Sequence, residues 1–313
     1  MKLTVKPKAE APFDAVTFGY NSVDFLCVLP RFVRYGEKLH MSNFEMQGGG
    51  QCATAAVALA RWGYSARYLG RFGGGYIGRF SKESVEREGV DVSCTLSSEQ
   101  VRNQIAVILI DAKTGERTIT YIRDEGLDLK PGEIPAEAAC SGRVLLVDAH
   151  QIPATVEAAS AARESGIPVV IDAEKIFPGT GDLIPLGDYV LCDAVFPSAF
   201  TGSGDPEKAL ARIGKDGAFV SMTLGSEGSL AYYRGDFIRT PGHRVHCADT
   251  TGAGDIFHAG FVAGMLMGLE AEACLRLGNV AAALKCRVLG GRPGIPEFEE
   301  VLSILREEGT IGG

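Results

Sequence analysis

The stretch Asp249-Thr-Thr-Gly-Ala-Gly-Asp255 holds residue types that could act on a phosphoryl group. The Gly252-Ala253-Gly254 turn lets the backbone bend tightly and aim successive N–H groups at one point. The apolar run that follows, up to Met265, predicts a helix. Those N–H groups then lie at a helix N-terminus, where the dipole favours an anion. Asp255 sits in the first turn, beside that anion. A carboxylate there can take the proton of a hydroxyl that attacks phosphorus. The same residues also fit a capped, buried helix with an acid in its first turn, since acids are common at helix starts.

The remaining candidates stand where predicted strands end. A strand at 15–19 runs into Asn21-Ser-Val-Asp24, and Gly48-Gly-Gly50 precedes a helix of small residues that Gly63 stops. Val144–Val147 ends in Asp148-Ala-His150, and 168–171 ends in Asp172-Ala-Glu174-Lys175. Short apolar pieces near residues 189–196 lead to Pro197-Ser198. The strand 218–223 turns through Gly225-Ser-Glu-Gly228. Alternating β and α segments predict a mostly parallel sheet covered on both faces, a three-layer α/β/α fold. Parallel strands present their carboxyl ends on one edge. Asp24, Asp148, Asp172, Ser198, Gly225 and the turn before Asp255 are therefore expected to line one cleft. A β-hairpin at 104–123 and an extended segment at His40–Met46 interrupt the rhythm, and are expected to form a small separate sheet. Gly73-Gly-Gly75-Tyr-Ile-Gly78 has a dinucleotide-fingerprint spacing. The strand before it is not the first, and Glu99, at ribose distance, lies in a polar loop, which sets that reading aside.

The 313 residues, 46% of them hydrophobic, fit a single α/β domain over residues 1–313. A formal charge of −8 argues against nucleic-acid and anionic-membrane partners, though not against an anionic small substrate. None of the eight cysteines has Cys-x-x-Cys spacing, and the five histidines show no metal spacing. Most of the cysteines read as buried thiols in a reducing compartment. The N-terminal lysines Lys2, Lys6 and Lys8 are followed by no apolar core, and no run of about 18 apolar residues could span a bilayer. A cytoplasmic location is expected.

The Asp249–Asp255 stretch, with Phe257 and Gly260 after it, resembles the C-terminal signature of the ribokinase/PfkB sugar-kinase family. The Gly49-Gly50 helix ending in Ala60-Arg61-Trp62-Gly63 resembles the N-terminal signature, and Thr223-Leu-Gly225-Ser-Glu-Gly228 the nucleotide turn. The similarity runs from about Phe18 to Pro296. It implies ATP-dependent transfer of a γ-phosphate, with Mg2+, to a hydroxyl of a small sugar or sugar derivative. Asp255 would be the general base, and the N–H groups of Gly252, Ala253 and Gly254 would hold the developing charge. Asn21, Asp24, Gly49, Gly50 and Thr54 would meet the substrate. Ser198, Thr223, Gly225, Ser226 and Gly228 would line the nucleotide site, with Asn279 and Ala282 near the base. A lid from about residues 37–47 and 101–123 would close over the sugar and could pair two subunits as a homodimer. Asp249 and Thr251, with carbonyls near Val288 and Gly291, match the region where many members hold K+.

Three departures stand out. Thr54 replaces a common Asn, and Gly73-Gly74-Gly75 replaces Gly-Asp-Asp. Ser198 and Thr201 replace an Asn-x-x-Glu that acts on Mg2+ through water, so either the nucleotide mainly holds the metal or turnover is reduced. The alternatives are a nucleoside kinase, which needs aromatics such as Phe44 facing the cleft, or a catalytically weakened ligand-binding protein of the same fold. Arg102, Asn103, Gln104, His150 and Lys175 are further candidates for the cleft. Lys175 or Arg102 facing inward would imply an already anionic sugar.

Overall fold

The computed structural model of the chain describes residue 5 and residues 10–312. Lys2, Lys6 and Lys8 lie outside the described residues. In chain order the strands are β1 (Ala15–Phe18), β2 (Ser22–Leu29), β3 (Asn43–Gly49), β4 (Ala66–Leu69), β5 (Arg71–Gly74), β6 (Leu96–Arg102) and β7 (Ile105–Asp111). They continue as β8 (Arg117–Ile122), β9 (Leu145–Asp148), β10 (Val169–Ala173), β11 (Tyr189–Cys192), β12 (Phe219–Thr223), β13 (Ser229–Tyr233) and β14 (Asp236–Thr240).

The main sheet has eight strands in the order β14-β13-β12-β11-β10-β9-β1-β4. From β12 to β4 every pairing is parallel, and only the pairings of β13 with β12 and with β14 are antiparallel. β9, β10 and β11 are buried at every residue. Their residues are apolar except Asp148 and Asp172 near the carboxyl ends, and a central parallel strand is covered on both faces. One core packs the helices Gln51–Arg61, Ala253–Leu266 and Ala271–Lys285 against one face of the sheet. A second core packs Ile152–Glu164 and Pro206–Ile213 against the other. This is the three-layer α/β/α arrangement. No helix among the described residues is long and apolar enough to cross a membrane.

A four-stranded sheet, β3-β2-β7-β8, stands apart as the lid. The hairpin expected near 104–123 is β7 and β8, and the extended segment near 40–46 is β3, shifted to Asn43–Gly49. The difference lies in β2. The sequence places Asp24 just past the end of the first strand, but Ser22–Leu29 is itself an eight-residue strand within the lid. Asp24 pairs with Gln47 on one side and Ala106 on the other. Strand alternation then turns Asp24 inward and Phe25 outward. The glycines at 73–78 form the end of β5 and the start of the helix Gly75–Glu86, and none of them lines the cleft.

Candidate active site

A cleft of about 740 Å3 separates the carboxyl edge of the main sheet from the inner face of the lid. Its floor is the start of the helix Ala253–Leu266. Gly252 precedes that helix at φ 75°, in the left-handed region, and no side chain caps it. The Ala253 N–H turns back to the Thr250 carbonyl at 3.2 Å, whereas the N–H groups of Gly252, Gly254 and Asp255 have no partner among the described residues. Free amides at a helix start, open to a cleft, are an anion site.

Asp255 lines the cleft at this point. Burial raises its pKa to about 7, and the charges of Asp172, Glu174 and Asp24 add to the shift while His258 opposes it. A carboxylate poised near neutrality suits proton abstraction from an alcohol. His258, one helical turn on, places Nδ1 3.0 Å from Asp172 Oδ2. Burial pushes its pKa down, but Asp172, joined by the charges of Asp255 and Glu174, makes the net shift upward. Neither Asp172 with His258 nor Asp193 was assigned a chemical role from sequence. Asp193 lines the same wall and accepts from Val195 and Phe196 N–H at 3.0 and 2.7 Å.

At one end of the cleft Asp24 accepts from Ser22 Oγ at 2.7 Å. Burial raises its pKa, against the hydrogen bond from Ser22 and the charge of Arg292. Gly49 packs so closely that a Cβ there would lie 2.1 Å from Asp24 Oδ2, so a side chain would displace the Asp24 carboxylate. Arg292, buried behind these residues, donates to Gly49 O at 2.9 Å and Ser84 Oγ at 2.8 Å. Gly50, Gln51, Tyr20 and Gln104 complete this end, and Gln51 Nε2 donates to Glu174 Oε2 at 3.0 Å. At the other end lie Thr223, Gly225, Ser226 and Gly228, with Asn279 and Ala282 opposite. The Asn279 NH2 group donates to Ser229 Oγ, Thr240 Oγ1 and the Pro241 carbonyl at 3.1, 2.9 and 3.3 Å, so it braces β13 and β14 behind the pocket. His243, Arg244 and Val245 line this end from an irregular segment that carries no sequence signal.

The profile of the pfkB family of carbohydrate kinases matches residues 13–297. The chain belongs to the pfkB family. It is 27% identical to a ribokinase of Haemophilus influenzae over 296 residues, which cover 92% of this chain and 96% of the relative. It is also 27% identical to a 2-dehydro-3-deoxygluconokinase of Bacillus subtilis, over 95% of this chain and 97% of that one. The solved structure of Arabidopsis thaliana ribokinase complexed with ribose and ATP superimposes with a TM-score of 0.80 at 24% identity, covering 94% of this chain and 99% of that one. As a pfkB carbohydrate kinase, the chain is an ATP-dependent sugar kinase.

Several residues that the pfkB resemblance pointed to lie outside the cleft. Asn21 is buried beside it, with its amide spent on Tyr68 Oη, the Arg71 carbonyl and Ser81 Oγ. Thr54 faces Arg292, its Oγ1 3.4 Å from Nε. Ser198 sits on the short helix Phe196–Thr201, where Thr201 Oγ1 donates back to the Pro197 carbonyl at 2.8 Å. Gly49 supports Asp24 from behind, and Asp249 is wholly buried beneath the Thr250–Gly254 turn, while Thr251 does reach the lining. Of the further candidates, Gln104, His150 and Lys175 line the cleft. Arg102 and Asn103 do not, and Asn103 Oδ1 instead accepts from Gly73 N–H at 2.9 Å. Asp148 acts from behind, accepting from Tyr20 and His150 N–H at 2.8 and 3.1 Å.

Proposed function

We propose that this kinase phosphorylates a hydroxyl of a small sugar or sugar derivative, with Asp255 as general base. The observation that carries the reading is the Asp255 carboxylate beside unbonded helix-start amides, with its pKa raised to about 7. Asp24, Gly50 and Gln104 hold the substrate hydroxyls. The Gly252 and Gly254 N–H groups receive the charge that develops on the transferred phosphoryl group. Thr223, Gly225, Ser226 and Gly228 cradle the nucleotide. The whole chain acts as one unit, with β2, β3, β7 and β8 closing over the sugar.

Mg2+ fits the electrostatics of this wall. Burial, and then the charge of Asp172, raises the Glu174 pKa, so a cation there relieves repulsion among neighbouring acids. No group of three or more His, Cys, Asp or Glu among the described residues could hold a metal ion, so a bound nucleotide's phosphates would have to supply most of the ligands. Glu174 and Asp193, neighbours on this wall, are the carboxylates that would help hold the ion, since Asp172 is paired with His258. Its chemistry is to neutralise phosphoryl oxygens. Because Ser198 and Thr201 stand apart from this wall, Ser198→Ala and Thr201→Ala are expected to change kcat by less than about twofold. Initial rates across a Mg2+ titration check this, and a large drop in either variant would return the metal to that helix.

Lys175 favours an acidic sugar derivative. Its Nζ lies 5.2 Å over the Tyr121 ring, on the cleft wall. One relative is named for a keto-deoxy sugar acid and another for ribose, so a transfer screen with ATP should include both chemistries. For an acidic substrate, Lys175→Ala should raise KM about tenfold, the worth of one charge-assisted contact, and leave neutral sugars unchanged. Equal effects on both would remove the lysine from substrate recognition. Phe44 is 51% exposed and stacks on Phe25 on the outer face of the lid, away from the cleft, which weighs against a nucleoside acceptor. The apolar patch of Phe44, Val107 and Ile122 on that outer face supports a homodimer through the lid.

A further inference from the structure

Lys285 ends the helix Ala271–Lys285 with its side chain wholly buried. Its Nζ donates to the Asp249 carbonyl at 2.8 Å and stands 3.8 Å from Asp249 Oδ2. Asp249 is equally buried. Its Oδ1 accepts from the Thr251 N–H and Oγ1 at 2.9 and 2.7 Å, and its Oδ2 accepts from Gly290 N–H at 2.8 Å. This ion pair lies directly under the anion site. Thr251 precedes Gly252, and a Cβ on Gly252 would lie 2.8 Å from Gly291 Cα, so the two loops tied together by Asp249 are in contact there.

Resemblance to the family placed K+ in this region, between Asp249, Thr251 and carbonyls near Val288 and Gly291. The donor set does not fit an added cation. A dehydrated monovalent ion needs several free oxygens. Here the Asp249 carbonyl and Oδ2 face an ammonium, and Oδ1 is taken twice by Thr251. A second buried positive charge beside the first would be strongly disfavoured.

We propose that the Lys285 ammonium is a tethered replacement for the monovalent cation, holding the Thr250–Gly254 turn in shape so that turnover is independent of K+. The contacts of the ammonium, one to the Asp249 carbonyl and one toward its carboxylate, are those a cation would make there. Arg117 Nη1 also donates to Thr250 Oγ1, so two cations of the chain itself flank the turn. Lys285 touches no cleft residue through its ammonium and acts through Asp249 as a positioning residue.

The proposal rests on reading the Gly252–Gly254 turn as the phosphoryl site, and it is tested by ion series on the full chain. Wild-type transfer rates in K+, NH4+, Na+ and Li+ chlorides at fixed ionic strength should agree within about twofold. Lys285→Ala removes the ammonium and leaves room for an ion. Its kcat should fall about tenfold or more in Na+ or Li+ and recover in K+ or NH4+. Melting temperature gives a second readout that needs no substrate: the variant should be raised by K+ over Li+, and the wild type should not. Three results each overturn the proposal: strong K+ activation of the wild type, a variant with full rate and stability in Li+, or a loss that no ion restores. If the variant does not fold in any salt, the wild-type rates and melting temperatures decide. Failure of the sugar-kinase reading would show as no transfer in any salt, leaving the melting comparison intact.

Discussion

Asp255→Asn is expected to lower kcat by about 10²- to 10⁴-fold, the range for loss of a general base, while nucleotide affinity changes little. Asparagine keeps the shape of the side chain and the helix start but cannot accept the hydroxyl proton. The free amides of Gly252 and Gly254 remain, so binding of the phosphates is preserved. The pH profile gives a second, sharper signature. The Asp255 pKa is raised to about 7, so in the free wild-type enzyme kcat/KM should fall as the pH drops below about 7 and level off above it. The base is active only when deprotonated, which sets that sign. In the Asn variant this acid limb should vanish from the residual activity. Steady-state rates from about pH 5.5 to 8.5, on both sides of that pKa, with nucleotide affinity by titration calorimetry, test both halves. Normal turnover in Asp255→Asn would remove this residue from the chemistry.

Gly252→Ala should also be severe, for a different reason. Gly252 has φ 75°, a conformation that costs an alanine about 1–2 kcal/mol. Its added Cβ would lie 2.8 Å from Gly291 Cα, which is backbone and cannot rotate away. The turn must shift, and its amides then miss the oxygens that they are aimed at. Losing one such donor costs about 10²- to 10³-fold in kcat. Gly254→Ala is the control for strain, because nothing lies within 4 Å of a Cβ there. Melting temperature should drop for the first variant and hold for the second. A Gly252→Ala enzyme with wild-type kcat would show that the turn does not stabilise the transferred group.

The two halves of the site differ in how far they could be read from the chain alone. The Thr250–Asp255 turn is local. Two glycines two apart, an acid next and an apolar helix behind form a conformational statement that needs no distant partner. The same holds for Thr223–Gly228, where a strand end and glycine turn are contiguous. The strand end carrying Asp172 was legible because a parallel sheet sends its carboxyl ends to one edge; Asp148 shares that edge but acts from behind the cleft, and Asp24 reaches the cleft from inside the lid strand β2. What failed was the choice of face. Asn21 and Asp24 are three residues apart, yet one is consumed by Tyr68, Arg71 and Ser81 while the other reaches the cleft. The sequence placed 21–24 past the end of the first strand, whereas pairing with β3 and β7 makes Ser22–Leu29 a lid strand.

Sequence by itself determined the α/β class, the glycine turn at the helix start and the place of the candidate base in its first turn, since each depends on backbone preferences written in neighbouring residues. Tertiary structure alone decided the charge balance around them. Arg292 reaches Gly49 across 243 positions, Gln51 meets Glu174 across 123, and Lys285 meets Asp249 across 36. No local pattern encodes such meetings. Burial and the proximity of like charges, which tune Asp255 and place an ammonium beneath the phosphoryl turn, exist only once these segments are brought into one low-dielectric space.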